Sequence, residues 1–155
     1  MRYLLPAIVL LVIAPASADS YPERKPGLWQ YNIETSQGAQ SMKQCIDAAT
    51  DAVLMQMSQG VTDACSKHEL HQEGDSYIGE SDCVFANSRT VTKSVTTGDF
   101  SSGFVITAIS TRGIGTEGES KSSMTVKATW LGPCEAGQNP GDVIMPGGAS
   151  FNLLK

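Results

Sequence analysis

The sequence predicts an all-β fold, mainly strand with one short helix. Its strands form an antiparallel meander of about six or seven, curled into a half-barrel or open barrel. Three observations predict this. From Cys65 onward, SKHELHQ, SYIGESDCVF, SRTVTKSVT, GFVITAIST and SSMTVKATWL follow one another in a stretch rich in Ser and Thr, the last four carrying the β-branched and aromatic residues that suit a pleated surface. Short turn signals separate them, and short connections join neighbouring strands antiparallel. Only one segment of the chain carries helical spacing.

In chain order, LWQYNIET comes first. Trp29, Tyr31, Ile33 and Thr35 alternate with Gln30, Asn32 and Glu34, the period of two of a half-buried strand. Ser36-Gln37-Gly38 reads as a turn, and Gln40 to Cys45 returns as a short partner strand. The helix is IDAATDAVLMQMSQG: Ile46, Val53, Leu54 and Met57 fall near helical spacing, Asp47 or Thr50 caps the start, and Gly60 closes the end. Its apolar stripe is expected to dock on the sheet. Turn signals then stand at Glu73-Gly74-Asp75, Ala86-Asn87, Thr97-Gly98-Asp99 and the Gly113 to Ser120 loop. Val91 and Val95, Phe104, Ile106 and Ala108, and Met124, Val126, Ala128 and Trp130 are expected to share one apolar face.

The opening residues MRYLLPAIVLLVIAPASAD have the organisation of an export signal. Arg2 gives a positive start, Leu4 to Ile13 an apolar stretch and Ala16-Ser17-Ala18 a small-residue cleavage site. The reading is a cleavable signal peptide over residues 1–18 and a single disulfide-stapled β-domain over 19–155, with no transmembrane segment once the signal is removed. The formal net charge is −5, and no run of clustered Lys and Arg occurs. That balance argues against nucleic acid as a partner.

Four cysteines, Cys45, Cys65, Cys83 and Cys134, follow the signal. An even count in an exported chain reads as two disulfides, and the absence of a close C-x-x-C pair argues against structural zinc. A hairpin centred near Gly74 places Cys65 and Cys83 equally far from the turn, so they meet on one face if the register holds. Cys45 then pairs with Cys134. The alternative joins Cys45 to Cys65 and Cys83 to Cys134, and loop-closure entropy does not separate the schemes, at about 7.8 against about 7.4 kcal/mol.

Other motifs lose to structural readings. In HELH, His68 and His71 are three apart in a strand and point to opposite faces. GIGTEG matches a dinucleotide fingerprint by letter, but a strand follows where a helix is required. Asp99 and Asp142 are lone turn carboxylates without the further oxygens of a calcium loop. No G-x-S-x-G elbow is present. No catalytic residue, cofactor or metal ligand is therefore assigned. Trp29, Tyr31, Phe104 and Trp130 are the residues that would line an apolar pocket in a curled sheet or else form its core.

RKPGLWQYNIET, QCIDAATD, CSKHELHQEGDSYIGESDC, VTTGDFSSGF and ATWLGPCEAGQNPGDVIMPGG, in that order, resemble the secreted domain-of-unknown-function family numbered 3617. The resemblance runs from Arg24 to Gly148. It includes the four cysteines, Pro26-Gly27-Leu28-Trp29, Leu131-Gly132-Pro133-Cys134 and Pro140-Gly141-Asp142. It implies export in Gram-negative bacteria and a periplasmic location, and it carries no activity. The expectation is a periplasmic or secreted binding module of the cell envelope, whose partner is an envelope protein or a small apolar ligand. The alternatives are a hydrolase or redox enzyme with an unrecognised site, and a purely structural envelope protein.

Overall fold

The structure, a computed structural model, describes residues 20–59 and 62–155. The expected signal peptide and the Gly60 helix stop lie outside the described residues. The elements are β1 (Gly27–Thr35), β2 (Gly38–Ile46), α1 (Ala48–Gln59), a short 3-10 turn (Thr62–Ala64), β3 (Cys65–Glu73), β4 (Ser76–Phe85), β5 (Ser88–Gly98), β6 (Gly103–Arg112), β7 (Ser120–Gly132), β8 (Asp142–Ile144) and β9 (Ser150–Asn152). All the described strands lie in one nine-stranded sheet, in the order β3-β4-β5-β6-β7-β1-β2-β8-β9. Every neighbouring pair is antiparallel, and the sheet is not closed into a barrel.

The tight hairpins fix the register. Phe85 pairs with Ser88 across Ala86 and Asn87, both left-handed at φ 47 and 62. That is the backbone a two-residue hairpin uses to match the strand twist. Between β5 and β6, Gly98 sits at φ 140, and a Cβ there would lie 2.3 Å from the Gly103 carbonyl oxygen. Only glycine suits that position.

One face of the sheet holds the core. Trp29, Tyr31, Ile46, Phe100, Phe104 and Ala128 are buried together, with Ile106, Val126, Leu54 and Tyr77 packed against them. Trp29 pairs with Trp130, Tyr31 with Ala128 and Phe104 with Ala128, so these residues share a face. Val91 and Val95 do not join them, contrary to expectation. They pair with Thr111 and Thr107, whereas Phe104, Ile106 and Ala108 pair with Gly98, Thr96 and Ser94. Strand β5 turns Thr92 and Thr96 inward: Thr96 is fully buried and Val95 is 44% exposed.

The helix also departs from its expected packing. Asp47 caps it, its Oδ1 accepting the Thr50 N–H at 2.7 Å, and this contact holds the Asp47 carboxyl below its usual range. The inward residues are Thr50, Asp51 and Leu54, while Val53 is exposed. Ile46 is buried as the last residue of β2, and the Met57 side chain lies outside the described residues. A buried carboxylate, with Leu54 beside it, replaces the apolar stripe.

Six or seven strands were expected. The two extra strands, β8 and β9, come from the tail beyond Pro140. Asn139 to Asp142 forms the expected turn, its carbonyl accepting the Asp142 N–H at 3.0 Å. The chain then re-enters the sheet beside β2 instead of trailing away.

Candidate functional site

The four aromatic residues singled out in the sequence are brought together. Trp29 is fully buried, Tyr31 and Phe104 nearly so, and Trp130 half-buried. Phe104 contacts Trp29 at 5.6 Å and Tyr31 at 6.3 Å between ring centroids. The rings thus pack on one another, in the tilted and edge-on geometries that aromatic pairs favour. Trp130 closes the border of this cluster: its indole N–H donates to the Pro26 carbonyl at 3.1 Å, and the Lys25 ammonium lies 3.5 Å over its ring.

Phe100, which directly follows the Thr97-Gly98-Asp99 turn signal, completes the cluster. It adopts φ 56, is 3% exposed and stacks on Phe104 at 4.9 Å. Asp99 holds the loop around it: its Oδ1 accepts the N–H groups of Ser101, Ser102 and Gly103, and its Oδ2 accepts the Ser102 hydroxyl. These donors keep the Asp99 carboxyl far below the usual range. The signal in the sequence was a large aromatic residue between two turn-formers, DFSSG.

The segment before β1 is a strap across the same cluster. Tyr21 lies against Tyr77 and Phe100 at 5.5 and 5.9 Å, and its hydroxyl is 3.2 Å from the Thr96 hydroxyl. Lys25 N–H donates to the Phe100 carbonyl at 2.9 Å, and the Trp29 indole N–H donates back to the Lys25 carbonyl at 2.8 Å. Arg24 is the anchor. Its Nε and Nη2 both reach Asp51 Oδ1 at 2.5 Å, its backbone N–H donates to Oδ2 at 2.9 Å, and Nη1 donates to the Tyr31 hydroxyl. Burial raises the Tyr31 phenol above its ordinary value, against the opposing pull of the Arg24 charge. One network therefore ties strap, helix and sheet.

All four cysteines form disulfides, Cys45 with Cys134 and Cys65 with Cys83. The hairpin bridge depends on a bulge. The β3–β4 turn is Gly74-Asp75, with Glu73 opposite Ser76. Without correction that register would bring Cys65 opposite Val84. An irregularity between Cys65 and Lys67 shifts it by one residue and sets Cys65 opposite Cys83.

Charge gathers on the outward face of β3–β5. Glu80 sits between Lys67 and Lys93, its Oε1 at 3.0 Å from the Lys93 ammonium, while Lys67 is also 3.3 Å from Glu69. The hydrogen bond from Lys67 is the main cause that brings the Glu80 carboxyl down to about 2. Arg89 holds Asp82 bidentately at 2.9 and 2.6 Å. His68 and His71 occupy opposite faces, opposite Ser81 and Ile78, and His71 lies 3.0 Å from Glu73. Among the described residues no group of three or more His, Cys, Asp or Glu is placed to hold a metal. No described helix is long and apolar enough to cross a membrane. GIGTEG lies in the loop from β6 into strand β7, where Gly113 N–H donates to the Arg89 carbonyl at 2.8 Å.

The candidate binding site lies at the other end of the sheet. Strand β8 pairs with β2 only at Lys43 and Gln44. Beyond Ile144 the chain turns back through Pro146-Gly147-Gly148, with Met145 N–H donating to the Ala149 carbonyl at 2.8 Å. Proline lacks the N–H a strand would need to continue. Gly38–Met42 of β2 is thus left without a described strand on that side. Gln30, Ser41, Met42, Lys43, Ile144, Met145, Pro146 and Gly148 line a cleft there of about 270 Å³. Its walls are mostly apolar, and Lys43 makes no ion pair among the described residues. Sequence reading missed this site because its second wall belongs to the tail.

No curated protein and no solved structure matches this chain. A family model does, the one described as Protein of unknown function (DUF3617), over residues 24–134. The matched stretch holds the Arg24 anchor, the aromatic cluster and all four cysteines, and the chain belongs to that family.

Proposed function

We propose that this is an exported, periplasmic protein of the cell envelope that works as a protein-binding module. The carrying observation is the cleft beside Gly38–Met42, an apolar hollow at a sheet edge that the β8–β9 hairpin leaves uncovered. Export is supported by two disulfides, which persist in oxidising compartments, and by the signal-like opening of the sequence. A protein partner is favoured over a small apolar ligand because Trp29, Tyr31 and Phe104 pack against one another. Thiol redox chemistry has little support with every cysteine paired.

Photo-crosslinking in intact cells tests the reading. Photoreactive residues placed singly at Gln40, Ile109 and Phe151, all exposed, are expected to give at least one discrete adduct in the periplasmic fraction. Monomer alone at every position, or recovery in the cytoplasm, contradicts it. Free-thiol counting on the purified oxidised protein should give none, and two or more would restore a redox enzyme.

A further inference from the structure

We infer that the partner binds by strand addition: an extended peptide segment bearing a carboxylate lays itself along Gly38–Met42, pairs with its backbone and sets the carboxylate against Lys43. The inference rests on the binding-module reading above and names the partner's chemistry at that site. Four observations carry it.

The first is backbone parity. In an antiparallel pair, successive residues turn their N–H and C=O groups alternately toward and away from the partner strand. The Cys45 carbonyl of β2 accepts the Gly141 N–H at 2.8 Å, on the side away from β1. Lys43, Ser41 and Ala39 share its parity and point the same way. Lys43 meets Ile144 of β8, while Ser41 and Ala39 face the side that carries no described strand. A peptide strand there gains main-chain hydrogen bonds, the source of affinity in strand addition.

The second is the contrast between the free edges. Exposed edges invite pairing, and proteins blunt them with charges, bulges and coverage. Strand β3 carries Lys67, Glu69 and Glu73 and the bulge beside Cys65. Strand β9 is only three residues long. Gly38–Met42 reads GAQSM, with no charge and no proline. Among the described residues it is the free edge stretch without such a device.

The third is the cleft. Gln30, Lys43 and Ile144 form one cross-strand row, and Ser41 lies on the same face. An added strand projects alternate side chains to that face, one of them over the hollow formed with Met145 and Pro146.

The fourth is charge. Lys43 stands at the cleft without an ion pair among the described residues. A second copy pairing through the same edge would not supply its complement, because Thr35 to Met42 contains no Asp or Glu. The occupant is therefore a different, carboxylate-bearing segment.

The test uses the mature disulfide-bonded protein and an acetylated, amidated peptide, Thr-Val-Glu-Val-Thr-Val. Titration followed by backbone amide NMR should show saturable binding, with shifts concentrated at Ala39, Ser41 and Lys43. Methylating alternate peptide nitrogens should abolish it. That control leaves the protein untouched; Ser41→Pro, which removes an N–H facing the peptide, should abolish binding as well. Lys43→Glu should weaken binding about tenfold, and a Lys-for-Glu peptide should bind the wild type as poorly. No binding at millimolar peptide, binding insensitive to N-methylation, or a dimer built through this edge would overturn the inference. Crosslinks from Ile109 or Phe151 alongside a failed peptide titration would reject strand addition while leaving the module reading intact.

Discussion

The two flanks of the sheet are held together by different means. Strands β1, β2, β6 and β7 are sealed by burial: Trp29, Tyr31, Phe104 and Ala128 under the strap and helix, with Arg24 and Asp51 locking the cover down. Each flank carries a disulfide, Cys45–Cys134 on the first and Cys65–Cys83 on the second, but on β3, β4 and β5 the remaining cross-links are surface ion pairs around Glu80 and Asp82. The inward row there runs through Ser81 and Thr92 and on to Ser110 of β6, with the Thr92 and Ser110 hydroxyls 2.9 Å apart. A flank that lacks a thick core needs its surface groups for cohesion, and the same groups blunt its edge. The flank that owns the core has surface to spare, and its edge is the open one.

The sharpest way to break the first flank is through its buried charge. Asp51→Ala leaves the Arg24 charge with no anion, held only by the Tyr31 hydroxyl, in a site where the two side chains are 11% and 2% exposed. A loss of about 3–5 kcal/mol is expected by urea unfolding. The double replacement Arg24→Met with Asp51→Leu should recover most of that loss, since apolar residues often replace a buried pair at little cost. Equal damage from both variants would mean that the pair does more than hold the strap. Trp29→Ala should cost a similar amount, about 3–5 kcal/mol, by emptying the centre of the cluster.

The second flank is expected to break at its staple. Replacing Cys65 and Cys83 together by serine removes a loop constraint of about 3 kcal/mol. Hydrogen exchange should quicken across β3–β5 while the amides of β1 and β7 stay protected. Uniform loss of protection would show that the flanks are not separable.

Acid sharpens the same contrast. Glu80 falls from 4.5 to about 2 in the folded state, chiefly through its Lys67 hydrogen bond. A depressed carboxyl stabilises the fold fully above its unfolded value, and that share is lost as pH drops from about 4.5 toward 2. Exchange in β3–β5 should therefore rise over this window before the Trp29 region responds, and Glu80→Gln should flatten the trend. The smallest expected effect belongs to the β4–β5 turn, where Ala86→Gly relieves a left-handed alanine. A gain of about 0.5 kcal/mol by thermal unfolding checks it, glycine's entropy offsetting part of the relief.

Much of the stapled flank was legible in the sequence because its signals are local. Turn residues marked the hairpins, alternation marked the strands, and equal distance from Gly74 marked the Cys65–Cys83 bridge. Even there, the bridge forms through a bulge that no turn residue announces. Val91 and Val95 face outward because the two-residue turn at Ala86-Asn87 sets their direction, which hydrophobicity alone does not reveal. On the core flank the decisive contacts are long-range. Arg24 and Asp51 lie far apart in sequence, and nothing local pairs them. Phe100 was hidden by the turn residues around it. The candidate cleft was least legible, since β8 and β9 are too short to show alternation and lie among glycines and prolines.

Amide protection on both edges in the presence of the Thr-Val-Glu-Val-Thr-Val peptide measures directly which edge is open. Slowed exchange at Ala39 and Ser41, with Lys67 to Glu73 of β3 unchanged, is the predicted result. Protection appearing along β3 instead, or on neither edge, would contradict it.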